Sequence, residues 1–218
     1  YTPTLTIHTS GVSSHSPVAV TLNGQSVGAI YDSSPLEVSN DIPWIDGDGT
    51  VNIGIDSPRV FSTDQNARYA FTSWQGPHGT SLENPITTNL LYEDQLFTAN
   101  FRTQYLTNMT FRDNGGSIDL NPTYIETRAP NSSLATLSSF TNQWMDNGTW
   151  TLKQVIWQGN NVAPLTEAVY TTTAGGTWNI NCRVFQINFV DSFKDNKGAD
   201  LYVKPSSFRL TFPNGTTS

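Results

Sequence analysis

Val18-Ala19-Val20-Thr21-Leu22-Asn23-Gly24 is the stretch that decides the fold. Val18, Val20 and Leu22 alternate with small residues. A period of two places one face of a strand on a core and the other toward water. β-Branched residues suit such a pleated, half-buried surface. Asn23-Gly24 then supplies two residues that tolerate positive φ, as a two-residue type I′ hairpin requires. The segment therefore predicts an antiparallel hairpin.

The same alternation recurs outward from this point, in Thr4-Leu5-Thr6-Ile7-His8, Thr50-Val51-Asn52-Ile53-Gly54-Ile55 and Thr149-Trp150-Thr151-Leu152. No window carries a helical stripe. Leu134 to Trp144 comes nearest, and its Ser and Thr content makes a poor helix. Further turn signals stand at Asp46-Gly47-Asp48-Gly49, Asn114-Gly115-Gly116, Gly159-Asn160-Asn161, Gly175-Gly176 and Asn196-Lys197-Gly198. Punctuation at roughly 8–15-residue intervals points to sandwiches rather than βαβ units. The expected fold is all-β: two tandem immunoglobulin-like antiparallel β-sandwiches with an extended N-terminal strand. The expected division is 1–10 (terminal strand), 11–106 (first sandwich) and 107–218 (second sandwich). Phe97 to Tyr105 reads as the closing strand of the first sandwich. Leu106 to Phe111 opens the second with almost no linker, which stiffens the pair.

Composition narrows the function. Charged residues are 13% of the 218, against roughly 25% in an ordinary globular protein. The net charge is −7, and Lys153, Lys194, Lys197 and Lys204 are the lysines. Such a surface does not attract nucleic acid or anionic lipid by charge. Aromatic residues at 11% argue against disorder. A surface built on hydroxyls and amides has few ion pairs to lose in acid, so tolerance of low pH is expected. The apolar runs are far shorter than the ~20 residues a membrane helix needs, and no membrane insertion of the mature chain is expected. Tyr1 reads either as a mature terminus after export or as the start of a fragment of a larger surface protein.

Asn108-Met109-Thr110, Asn131-Ser132-Ser133, Asn147-Gly148-Thr149 and Asn214-Gly215-Thr216 are N-glycosylation sequons. Such triplets also arise by chance in an Asn/Ser/Thr-rich chain, but their number suggests an extracellular, cell-surface protein carrying N-linked glycans. Cys182 stands alone, so no internal disulfide forms. It alternates with Val184 and reads as a buried thiol acting as a small hydrophobe.

Residue patterns for chemistry are sparse. Asp46 and Asp48, flanked by Asp41 and Asp56, are candidate oxygen ligands for Ca²⁺. The EF-hand pattern fails there, since Thr50 takes the fifth position and no Glu takes the twelfth, and a glycine-rich turn is the simpler reading. His8, His15 and His78 fit no metal motif. No nucleophile elbow, P-loop or dinucleotide fingerprint is present. Asp64, Glu83, Glu93 and Asp94 read as loop acids with no pair singled out. No catalytic residue and no cofactor is expected, and the chain does not read as an enzyme. Trp44, Trp74, Trp144, Trp150, Trp157 and Trp178 read as core residues, with a sugar-stacking platform as the alternative. Lys153, on a predicted strand, is the best candidate for an intradomain isopeptide bond, and a solvent-facing lysine is the simpler account.

Tyr69-Ala70-Phe71-Thr72-Ser73-Trp74-Gln75-Gly76, followed by Ala99-Asn100-Phe101-Arg102-Thr103-Gln104-Tyr105, resembles a β-sandwich repeat of archaeal cell-surface proteins. Asn121-Pro122-Thr123-Tyr124, Val155-Ile156-Trp157-Gln158-Gly159 and Phe208 to Thr216 look like a companion immunoglobulin-like module. In overall character the chain resembles the subunit of the archaeal thread filament. That resemblance implies a glycosylated filament of identical subunits, joined head to tail by donor-strand complementation. The residues themselves allow it. Thr4, Leu5, Thr6, Ile7 and His8 form an alternating strand that an open sheet edge could accept. Pro3 suits a linker or an edge. Insertion that does not close on itself makes a fibre. Residues 4–9 are equally readable as the first strand of their own sandwich. Cys182 to Val190 and Ser207 to Phe212 also read as strands, so the C-terminal end is a second place where a sheet could be left unfinished. The expected function is a structural subunit of an extracellular filament whose partners are copies of itself. The alternatives are an adhesin, carbohydrate-binding or S-layer-associated module, and a secreted acid hydrolase.

Overall fold

The computed structural model describes residues 4–38, 50–61, 64–89, 93–113, 116, 119–162, 164 and 168–183. All of them belong to one compact unit, and their regular structure is entirely β. The first half supplies β1 (Leu5–Ser10), β2 (Val18–Leu22), β3 (Gln25–Ile30), β4 (Leu36–Val38), β5 (Thr50–Ile55), β6 (Arg59–Val60), β7 (Ala67–Gly76), β8 (Gly79–Ser81) and β9 (Ile86–Asn89). Next comes β10 (Gln95–Arg112), a single strand of 18 residues. The second half supplies β11 (Tyr124–Arg128), β12 (Leu134–Leu137), β13 (Gln143–Asp146), β14 (Thr149–Trp157), β15 (Asn160–Val162), β16 (Val169–Thr171) and β17 (Gly176–Asn181).

The opening stretch folds as its pattern requires. Val18, Val20 and Leu22 have no exposed surface. Leu22 pairs with Gln25 across Asn23 and Gly24, whose φ angles are +47° and +79°. That is the double positive φ of a type I′ turn. A second such turn joins β14 to β15 at Gln158 (φ +50°) and Gly159 (φ +77°), one residue earlier than the sequence suggested. Leu134 to Trp144, the nearest approach to a helical pattern, is β12 and the start of β13.

β2 and β5, within the sheet β3-β2-β5-β9, face β1, β7 and the first part of β10. Between them lies a core of Leu5, Ile7, Leu22, Ile53, Trp74 and Phe97, among others. A second core lies against the last part of β10. There Met109, Phe111, Trp178 and Ile180 meet Ile125, Trp150 and Val155 of the sheet that contains β11 and β14. The two motif strands, β7 and β10, lie side by side, Ala99 opposite Trp74 and Tyr105 opposite Ala67. Thr72 is the unmatched residue of that ladder, and its hydroxyl donates to the Asn100 carbonyl at 2.9 Å. An extra residue of this kind increases local twist.

Two expectations differ from the structure. The junction expected between residues 106 and 107 is no linker at all, but the middle of β10. The core changes there, between Phe101 and Met109, without any break in the strand. The sheets are not purely antiparallel, because β1 and β17 both pair with β10 in parallel. Within a single copy Leu5 to His8, the expected donor residues, pair in their own chain, where β1 sits between β4 and β10. In that place Leu5 and Ile7 are buried and the backbone of β1 is paired on both sides. Asp41, Trp44, Asp46, Asp48, Asn214 and the strands expected beyond Cys182 lie outside the described residues.

Candidate assembly site

The site is the slot that β1 fills. Six residue pairs join β1 to β10, from Leu5 opposite Gln95 to Ser10 opposite Asn100. Three more join it to β4. Alternation sends Leu5 (1% exposed), Ile7 (0%) and Thr9 (5%) inward, while Thr6 and His8 are half-buried on the other face. Full burial of a Leu or Ile side chain contributes about 1.5–3 kcal/mol, so these two side chains anchor the strand.

Both ends of β1 are held by carboxylates. The Thr4 backbone N–H donates to Asp94 at 2.8 Å. At the far end Asp32 accepts three bonds, from the Thr9 hydroxyl at 3.0 Å, the Gly11 N–H at 2.9 Å and the Val12 N–H at 2.9 Å. Asp32 returns its own N–H to the Val12 carbonyl at 3.1 Å. The chain reverses at Gly11 (φ +96°), and Ser13 N–H donates to the Tyr69 hydroxyl at 3.0 Å. Nothing in the sequence flagged Asp32, which stands over twenty residues from the strand it holds.

Where the two cores meet, side chains tie three strands together. Arg68 of β7 donates from Nε to Gln104 Oε1 at 2.8 Å, and its guanidinium lies 4.4 Å from the centre of a Trp144 ring. Gln104 donates onward to Asp146 at 2.8 Å, and Arg102 pairs with the other oxygen of Asp146 at 2.9 Å. Burial, and then the positive charge of Arg102, draws the Arg68 guanidinium below its ordinary value, with Asp146 pulling the other way.

The remaining expected residues scatter. Asn108, Asn131 and Asn147 are all exposed. Asn108 accepts the Asn142 N–H at 2.9 Å, and Asn131 accepts from both the N–H and the hydroxyl of Ser133, its own sequon serine. Asn131 and Asn147 line one open hollow with Arg102 and Asp146, a proximity the sequence gave no sign of. Trp74, Trp150 and Trp178 are buried in the cores and Trp157 packs against the second, whereas half-buried Trp144 is in neither and lies under Arg68. Cys182 is fully buried, and burial pushes its thiol pKa up. Lys153 is exposed on β14. His15 and His78 are exposed, as are Asp64, Glu83, Glu93 and Asp94. Among the described residues no three His, Cys, Asp or Glu side chains group to hold a metal ion, and no helix is long and apolar enough to cross a membrane.

No protein-family model matches the chain, and no curated protein is significantly similar to it. Solved structures do align. The shaft pilin SpaA from Lactobacillus rhamnosus GG matches at 8% identity over 86% of this chain and 100% of its own, with a TM-score of 0.31. A streptococcal ancillary pilin matches at 10% identity over 84% of this chain and 62% of its own, with a TM-score of 0.28. Both TM-scores are too low to establish a common fold.

Proposed function

We propose that this chain is the structural subunit of an extracellular filament, exported, N-glycosylated at its sequons, and joined to copies of itself by exchange of β1. The observation that supports this reading is the β1 slot. It is lined by β4 and β10, filled by two apolar anchors, and joined to β2 through the turn at Gly11. The β1 of a second copy fits the same slot with the same contacts. The exchange therefore costs little beyond the unpairing of the strand in its own chain. Each strand ordered in a neighbour still forfeits about 1–2 kcal/mol of backbone entropy per residue, so burial of Leu5 and Ile7 decides whether the polymer holds. Passing each β1 forward to the next copy, rather than swapping it reciprocally, gives an open chain and not a closed dimer. Glycans on Asn108, Asn131 and Asn147 would shield exposed strand edges from lateral association.

The test locks β1 at home. Thr6 and Leu96 are opposite one another and face away from the core. Parallel neighbours at strand spacing lie within reach of a disulfide. Thr6→Cys with Leu96→Cys should give a monomer when oxidised and linear polymers, visible by electron microscopy, when reduced. Polymers formed by the oxidised variant, or no polymers from the unmodified chain at high concentration, would refute strand exchange. Intact mass of native material before and after deglycosylation checks the sequons.

A further inference from the structure

We infer that the described fold is a tension element, in which pulling force runs through β1, β10 and β17 and loads both strand pairings in shear. The inference goes beyond the filament reading and does not depend on it.

The register fixes the path. β1 runs parallel to β10, with its first residue, Leu5, opposite the start of β10 at Gln95. β17 also runs parallel to β10, with its last residue, Asn181, opposite the end of β10 at Arg112. The chain therefore enters beside one end of β10 and leaves beside the other. Residue by residue, the pairings also fix the sides. Asn100 pairs with both Ser10 and Ser73, which places β1 and β7 on opposite sides of β10. Gln104 pairs with both Arg68 and Asp146, so β13 is opposite β7. Thr107 pairs with both Gln143 and Gly176, so β17 is opposite β13. Force thus enters on one side of β10, crosses it, and leaves on the other.

Pulling residue 4 away from residue 183 draws β1 backward along β10 and β17 forward along it. The hydrogen bonds of a strand pair lie across the strand axis. Each pairing holds six residue pairs, and all its bonds are strained together. Between the pairings, from Phe101 to Leu106, β10 is the strand common to both and carries force through its covalent bonds, with β7 and β13 paired alongside. Gln95 to Arg112 contains no glycine and no proline, so neither a missing N–H nor a soft hinge interrupts it. At about 3.4 Å per residue the strand spans roughly 60 Å, a length over which both cores are fastened to one backbone. Leu5 and Ile7 on β1, and Trp178 and Ile180 on β17, are buried at 3% exposure or less. Sliding either strand would drag these side chains out of their cores together.

Pulled from their other ends, the same two strands would peel away one bond at a time. Ser14 follows the far end of β1, and Ala174 precedes the near end of β17; both are exposed. The experiment is single-molecule force spectroscopy on the full chain, with non-natural amino-acid handles at Thr4 and Arg183 in one sample and at Ser14 and Ala174 in the other. Thermal melts of the two samples verify equal folding. The expected result is a rupture force about twofold higher, or more, for the 4/183 pair, because forced unfolding reads the barrier along the pulled direction. Equal forces, or a lower force for 4/183, would overturn the tension path. Since single copies are pulled, that outcome would leave the filament reading standing. Failure of the oxidised-lock experiment would likewise leave the tension path intact.

Discussion

Gly11 lies directly against the backbone of Phe101: a Cβ placed on Gly11 would fall 2.7 Å from the Phe101 carbonyl oxygen. Its φ of +96° is also a conformation that side chains oppose. The turn that releases the chain from β1 is thus pressed onto the centre of β10. Backbone cannot step aside as a flexible side chain can. Gly11→Ala should cost about 1–3 kcal/mol, read from urea unfolding. Gly24→Ala is the comparison, since Gly24 shares the positive φ but has nothing within 4 Å. An equal loss at both sites would show that the contact with Phe101 is unimportant.

Asp32 should govern how firmly β1 is held. Asparagine keeps the shape but offers one oxygen acceptor where the carboxylate offers two. Asp32→Asn must therefore set an amide NH₂ against the N–H of Gly11 or of Val12. A loss of about 1–3 kcal/mol follows from stranding a donor. Hydrogen exchange should quicken first in Leu5–Ser10, ahead of β14 in the second sandwich. If β1 amides exchange no faster than in the unmodified chain, Asp32 does not hold the strand.

Thr107 offers a gain rather than a loss. It is fully buried in β10, and its hydroxyl has no hydrogen-bond partner among the described residues. Valine has nearly the same shape, suits a strand and removes the stranded group. Thr107→Val should stabilise the fold by about 1 kcal/mol, seen as a higher melting temperature. An unchanged or lowered melt would mean that the hydroxyl is satisfied after all.

Cys182 gives a pH signature. Burial raises its pKa in the folded chain, so the native state keeps its proton to higher pH than the unfolded state does. The stabilisation from this group is complete below the unfolded value, about 8.5, and is lost as pH rises through the folded one. Iodoacetamide at pH 8 should label Cys182 only after denaturant is added. The alkaline fall in melting temperature should be shallower in Cys182→Ala than in the unmodified chain. Rapid labelling of the native chain would contradict the burial.

Local patterns in this chain were legible because their causes are local. Asn23-Gly24 names its own turn, and the alternation of Val18, Val20 and Leu22 names its own buried face. Tyr69 to Gly76 and Ala99 to Tyr105 stand out as strands and prove to be partners. The direction of pairing was not legible, since alternation is the same for a parallel and an antiparallel neighbour. This is why β1 could be read as equally suited to a neighbouring copy or to its own sheet. The continuity of β10 had a visible sign, the lack of any glycine or proline from Gln95 to Arg112. A strand of 18 residues is nonetheless far beyond the usual length of about five or six, so its length does not follow from that sign alone. Asp32 and the Arg68–Trp144 contact were invisible because each depends on strands distant in sequence.

The pairing of β1 with β10 also sets an order of events at birth. Thr4 meets its partner Asp94 ninety residues downstream, and ribosomes add residues one at a time from the N-terminus. β1 cannot take its place beside β10 until most of the first sandwich has been synthesised behind it. During that interval Leu5 and Ile7 have no core to enter, so the burial that anchors β1 is gained only late in synthesis.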